Sequence, residues 1–316
     1  MISELLLLSG NANPMLAARI ATIVGSSLGK AMVSRFSDGE IQVEIADNVR
    51  GRDVFLIQPT SAPTNDHLME LLIMVDACKR ASAGRITAVM PYYGYARQDR
   101  KVAPRAPITA KLVADLLTTA GVSRVLTMDI HSGQTQGFFN MPVDNLYSVQ
   151  ALAHTIQKAH GDLLGNAVVV SPDAGGVARA RSLAKILDTG LAIVDKRRSG
   201  PNQSEVMNII GEVRGKHAII FDDMIDTAGT LAKAAVAIKE NGALSVRAAA
   251  SHGVLSGDAV RRIYESPLEQ VYITDTIAPR LSVLDSPKIK VVGVGGVFAD
   301  AILAIHSEKS VSKLFE

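Results

Sequence analysis

Two adjacent carboxylates, Asp222 and Asp223, close the apolar run Ala218-Ile219-Ile220-Phe221. Asp226-Thr227-Ala228-Gly229-Thr230 follows, a loop of small residues that opens into a helix. Such a loop can point backbone N–H groups, two hydroxyls and the positive end of a helix dipole at a phosphate. The neighbouring carboxylates can accept hydrogen bonds from sugar hydroxyls. Together they make a site for a phosphorylated sugar, without the GxxxxGK spacing of a P-loop. Taken alone, the segment also reads as an ordinary strand, loop and helix with an acidic start.

Further clusters carry chemistry of a related kind. Phe36, Ser37, Asp38, Gly39 and Glu40 precede an alternating strand over 41–45. The aromatic can stack on a base while carboxylates or backbone groups read its amino edge; a plain turn fits as well. Residues 92–101 hold three tyrosines (Tyr92, Tyr93, Tyr95), Gln98 and the cations Arg97, Arg100 and Lys101. Those donors suit a polyphosphate or nucleotide, and a solvated charged loop would not ordinarily carry three tyrosines. Asp129 and His131 share one side of an extended chain and could hold a divalent cation, directly or through water. A lone strand-end histidine is more often structural. Asp173 offers another carboxylate beside a glycine loop. Lys196, Arg197 and Arg198 suit a lid that carries positive charge to a phosphoryl group; in isolation they read as a solvated basic turn.

Apolar runs must position these groups. Strands are expected over 5–8, 54–57, 86–90, 125–128, 167–170, 192–194, 218–221, 245–250, 270–274 and 289–292, and helices over 14–24, 64–80, 108–120, 148–159, 178–187, 230–241 and 257–265. The alternation predicts an α/β fold with parallel sheets covered by helices on both faces. Gly84, Gly121 and Gly242 fall where left-handed helix caps are expected. Ala88-Val89-Met90-Pro91 with Gly94 and Arg97 is echoed by Val169-Val170-Ser171-Pro172 with Gly176 and Arg179. Residues 125–129 are likewise echoed by 218–222. Two similar domains follow, 1–147 and 148–305, with the tail 306–316 returning to the first. In such sheets ligands bind beyond the carboxyl ends of strands.

The totals narrow the classes. With 316 residues, 47% of them apolar, the chain can fill two cores. A net charge of +2 with interspersed signs and no aromatic-interleaved basic face argues against a nucleic-acid partner. The apolar run 2–8 is too short for a membrane span and lacks signal-peptide flanks. The single cysteine, Cys78, fits a reducing cytoplasm and reads as core.

In combination, FSDGE at 36–40, YYGYARQDRK at 92–101, DIHSGQTQGFF at 129–139, SPDAGG at 171–176, DKRR at 195–198 and DDMIDTAGT at 222–230 resemble the ribose-phosphate pyrophosphokinases of the bacterial-type class I. The likeness runs from Leu7 to about Phe315. It implies two phosphoribosyltransferase-like domains and transfer of the β,γ-pyrophosphoryl group of ATP to ribose 5-phosphate, for nucleotide, histidine and tryptophan biosynthesis. It further implies that Phe36, Asp38, Gly39, Glu40, Arg97 and Gln98 bind ATP. His131 and Asp173, with Asp129, place Mg2+; Lys196 and Arg198 stabilise the transferring group. Asp222 and Asp223 hold the ribose hydroxyls, while Asp226, Thr227, Ala228, Gly229 and Thr230, with Arg198, take the sugar phosphate. The resemblance also implies a hexamer activated by phosphate and inhibited by ADP at a site between subunits, near Asn48, Arg50, Ser82, Arg105, Gln136 and Asn145. Pro104 and Thr135 depart from the usual serine and isoleucine, and a proline fixes φ in that loop. A phosphoribosyltransferase would need only one such domain and lacks the 36–40 and 92–101 motifs. A non-catalytic associated protein would carry altered catalytic loops, whereas 195–201 is uninterrupted here.

Overall fold

The three central leucines of β1 (Leu5–Ser9) are buried, and such a strand needs cover on both faces. The computed structural model describes residues 4–197 and 206–315. They form two units: one takes the chain to Tyr147, 276–278 and the chain from Val294, the other Ser148–Asp275 and Pro279–Gly293.

In the first unit β1 is followed by α1 (Pro14–Val24), the strands β2 (Ala31–Arg35) and β3 (Ile41–Ile45), and β4 (Asp53–Ile57). Then come α2 (Thr64–Arg80), β5 (Arg85–Met90), α3 (Thr109–Ala120), β6 (Arg124–Met128) and β7 (Val143–Leu146). The sheet order is β1-β4-β5-β6-β7, every pair parallel. Leu6, Leu8, Val54, Leu56, Ile86, Ala88 and Val125 pack against Leu71, Met74, Val75 and Cys78 of α2 and Val113 and Leu117 of α3. Burial pushes the Cys78 thiol up to about 12, so it behaves as an apolar side chain. The β2–β3 hairpin stands apart as a two-stranded sheet.

The second unit runs α4 (Val149–His160), β8 (Ala167–Ser171), α5 (Val177–Leu187), β9 (Gly190–Arg197), β10 (Val206–Ile210), β11 (His217–Ile225), α6 (Gly229–Glu240), β12 (Ser245–Gly253), α7 (Ala259–Glu265), β13 (Leu268–Thr274), α8 (Leu281–Leu284) and β14 (Ile289–Val292). Its order is β10-β9-β8-β11-β12-β13-β14, parallel apart from the antiparallel edge pair β9–β10. Alternate residues serve opposite faces. Val168, Val170 and Ile220 pack with Ala234, Ala235 and Ile238 of α6, whereas Val169, Ile219 and Phe221 pack with Leu152 of α4 and Leu183 of α5. That two-sided cover explains the unbroken apolar runs. The echoed segments become adjacent parallel strands in each sheet, β5 beside β6 and β8 beside β11. Their partners on the other side differ in chain order, since β4 precedes β5 whereas β9 follows β8.

The return to the first unit starts at Val294, earlier than the 306 expected. Its cause is helix α9 (Gly295–His306), which packs against α1. Asp53 is fully buried and accepts from Arg85 Nε and Nη2 at 2.8 and 2.5 Å, and His306 Nδ1 lies 2.9 Å from it. Arg85 Nη2 also donates to Ile305 O at 3.2 Å, tying the helix end to the sheet. Gly84 is no helix cap: α2 ends at Arg80 and Ser82 takes φ 65°. A Cβ on Gly84 would lie 2.7 Å from Gly51 O, so the glycine permits a close approach of backbones.

Candidate active site

Strand β11 runs further than its apolar core suggests. Asp222 pairs with Ala250, Met224 with His252 and Ile225 with Gly253 of β12, so the acidic pair lies inside the strand rather than beyond it. Arg179 of α5 reaches both carboxylates, with Nη1 at 3.1 Å from Asp222 Oδ1 and 3.2 Å from Asp223 Oδ1. Asp222 Oδ1 also accepts from the Asp223 N–H at 2.9 Å. Desolvation first, then the charge of Asp223, push the Asp222 carboxyl up to about 7, against the opposing pull of Arg179. Asp223 is buried; Asp222 keeps 32% of its side chain exposed.

Helix α6 begins at Gly229, so Gly229 and Thr230 belong to its first turn. Ala228, at the N-cap with φ 58°, offers no side-chain acceptor for the first amides. A helix start of this kind can take an external anion. The preceding loop is held from one side. Leu255 N donates to Ile225 O at 2.9 Å, Ser256 N to Asp226 O at 3.1 Å and Arg262 Nη1 to Thr227 O at 2.8 Å. The Ser256 hydroxyl also bonds Asp226 Oδ1. Asp173 follows β8 and uses Oδ1 to accept from Gly176 N at 2.9 Å, at the start of α5. Lys196 lies on β9, while Arg198 falls outside the described residues.

In the first unit the β2–β3 connection presents Phe36, half-exposed, above a turn in which Gly39 takes φ 95° and Asp38 Oδ1 accepts from Glu40 N at 3.1 Å. The tyrosine-rich stretch divides. Tyr92 and Tyr93 are buried, and Tyr93 donates to Ala110 O at 2.9 Å while its ring meets Phe139 edge-on at 5.7 Å. Burial raises the Tyr93 phenol. These two rings are packing elements, which corrects their reading as ligand donors. Gln98 anchors the start of α3, its Oε1 accepting from Thr109 Oγ1 at 2.9 Å. Asp129 adopts φ 39°, so the extended alternation expected to align it with His131 is broken; Asp129 is buried and His131 exposed.

Among the described residues no group of three His, Cys, Asp or Glu side chains converges as a metal cluster. Asp129 and His131 of the first unit, and Asp173 of the second, offer hard carboxylate oxygens and a borderline imidazole nitrogen as donors. Of the residues assigned to regulation, three meet: Arg50 N donates to Asn48 Oδ1 at 3.1 Å and Arg50 Nη1 to Ser82 Oγ at 3.4 Å. Asn145 instead accepts from Ile130 N, and Gln136 bonds Gly133 O. Pro104 and Arg105 are the central residues of a turn closed by Ala106 N donating to Ala103 O, with Arg105 at φ 65°.

Residues 5–121 match the family described as the N-terminal domain of ribose phosphate pyrophosphokinase, and residues 198–316 the phosphoribosyl synthetase-associated domain. The ribose-phosphate pyrophosphokinase of Brucella melitensis biotype 1 is 56% identical over 310 residues, covering 98% of this chain and 99% of its own. That of Mesorhizobium japonicum is 58% identical over 310 residues, with the same coverage. The chain belongs to the ribose-phosphate pyrophosphokinase family. A crystal structure of phosphoribosylpyrophosphate synthetase from Mycobacterium smegmatis matches it with a TM-score of 0.91 at 41% identity, covering 96% of this chain and 99% of that one. Three residues of this pyrophosphokinase-family site escaped sequence reasoning: Arg179, Ser256 and Arg262. Only Arg179 left a signal, since it stands in the second echo where Arg97 stands in the first.

Proposed function

We propose that the protein transfers the β,γ-pyrophosphoryl group of ATP to the C1 hydroxyl of ribose 5-phosphate, giving phosphoribosyl pyrophosphate and AMP for nucleotide, histidine and tryptophan biosynthesis. The observation that carries the sugar side is a single strand-to-helix connection: an arginine-bridged acidic pair on β11, then a helix start without a side-chain cap. Asp226–Thr230 hold the 5-phosphate with backbone amides and hydroxyls. Asp222 and Asp223 accept from the ribose hydroxyls, which favours their charged forms and draws Asp222 toward ionisation. The sugar is thereby anchored at its tail while its C1 oxygen is left to attack the β-phosphorus in line.

On the nucleotide side Phe36 stacks on the base, Asp38, Gly39 and Glu40 read its edge, and Arg97 and Gln98 take up ATP. Lys196 and Arg198 offset the negative charge that builds on the transferring group. Asp129, His131 and Asp173 would hold magnesium, which when bound neutralises phosphate charge. Asn48, Arg50, Ser82, Arg105, Gln136 and Asn145 are assigned to phosphate activation and ADP inhibition in a hexamer. No described helix is long and apolar enough to cross a membrane, and the reading places the protein in the cytoplasm. Incubation with ATP, ribose 5-phosphate and Mg2+ should yield AMP and phosphoribosyl pyrophosphate in equal amounts. Consumption of phosphoribosyl pyrophosphate with a free base would favour a phosphoribosyltransferase instead, and no turnover would favour a non-catalytic associated protein.

A further inference from the structure

Three consecutive carbonyls of the phosphate loop, those of Ile225, Asp226 and Thr227, take their donors from one short segment. Leu255 N and Ser256 N supply two, and the Arg262 guanidinium of α7 supplies the third. In a trans peptide the C=O and the following N–H lie in one plane and point in opposite directions. Pinning these carbonyls toward 255–262 therefore turns the N–H groups of Asp226, Thr227 and Ala228 the other way. Successive amides aimed alike make an anion-binding concavity. Ala228 takes φ 58°, a left-handed conformation that costs an alanine roughly 1–2 kcal/mol and needs support from outside.

We infer that Arg262, assisted by Ser256, is a positioning residue that shapes the loop into a cradle selective for a phosphate monoester. The inference rests on the sugar-phosphate reading above. Neither side chain needs to touch the substrate. Arg262 fixes the last peptide plane before the helix start, and its charge adds to the positive end of α6. Ser256 fixes the Asp226 side chain through its hydroxyl. A solely structural arginine would affect all substrates alike, whereas this one should matter only for those bearing the phosphate.

The experiment compares kcat/KM for ribose 5-phosphate and for unphosphorylated ribose, followed by AMP formation, in the parent protein and in Arg262→Ala, Arg262→Lys and Ser256→Ala. Losing a charge-assisted hydrogen bond corresponds to about tenfold. Arg262→Ala should reduce the preference for the phosphorylated sugar by that factor, through KM for ribose 5-phosphate, with KM for ATP unmoved. Arg262→Lys keeps a donor and should recover part of the loss; Ser256→Ala should show a smaller effect of the same kind. A preference unchanged in Arg262→Ala, or an equal rise in KM for ATP, overturns the inference. Should Arg262→Ala fail to fold, the lysine and Ser256 variants decide it on the same ratio. A parent protein that forms no AMP sinks the function itself; an active parent with indifferent variants sinks only the positioning role.

Discussion

Asp222→Asn should make the protein more stable at pH 8 while impairing it as an enzyme. The carboxyl moves from 3.8 to about 7 on folding, which corresponds to about 4 kcal/mol for keeping it charged at pH 8. Its side chain is 32% exposed, so solvent screening reduces this to about 2 kcal/mol. The folded state holds the proton more tightly than the unfolded chain. Stability from this group is therefore complete below pH 3.8 and is lost as pH rises through about 7. Asparagine keeps the oxygen that accepts from Arg179 and from the Asp223 N–H, and it cannot ionise. Thermal melts at pH 8 should place the variant roughly 4–8 °C above the parent, scaled from about 2–4 °C per kcal/mol. At pH 5 the gap should shrink by more than half. AMP formation should need much more ribose 5-phosphate. A variant no more stable than the parent at pH 8, or an equal gap at both pH values, refutes the reasoning.

Other perturbations address separate parts of the molecule. Lys196→Ala should lower turnover by about two to three powers of ten and leave ATP affinity nearly intact; steady-state rates beside nucleotide binding would show otherwise if the lysine served ground-state binding. Asp53→Ala leaves Arg85 facing a buried void and should cost about 3–5 kcal/mol in denaturant unfolding, with faster hydrogen exchange in 295–306. A loss under 1 kcal/mol would dismiss the clamp. Thr135 is buried, and its hydroxyl oxygen has no partner among the described residues. Thr135→Val should therefore stabilise by about 1–2 kcal/mol without touching activity, and a lower melting temperature would count against it.

What could be read in the residue order depended on whether burial was written as a pattern. Runs such as Val168–Val170 and Ala218–Phe221 are apolar on both faces and announced central parallel strands. Helix α9 was not seen, because Phe298, Ala299, Ala301, Ile302 and Ile305 are all buried and leave little polar face to mark a period. Strands β2 and β7 were too short and too mixed to stand out. The acidic pair and the phosphate loop were visible as chemistry, yet Ser256 and Arg262 act through backbone carbonyls that no spacing reveals. Tyr92 and Tyr93 misled in the other direction, since a dense aromatic stretch beside cations looks the same whether it faces a ligand or fills a core.

The Asp53 clamp bears on how the polypeptide emerges during translation. Its aspartate and Arg85 leave the ribosome early, but the helix that covers them is made some two hundred residues later. Until then Arg85 lacks the Ile305 carbonyl, Asp53 lacks His306, and α1 keeps a bare apolar flank. The first unit should therefore gain its full stability only once α9 has been made.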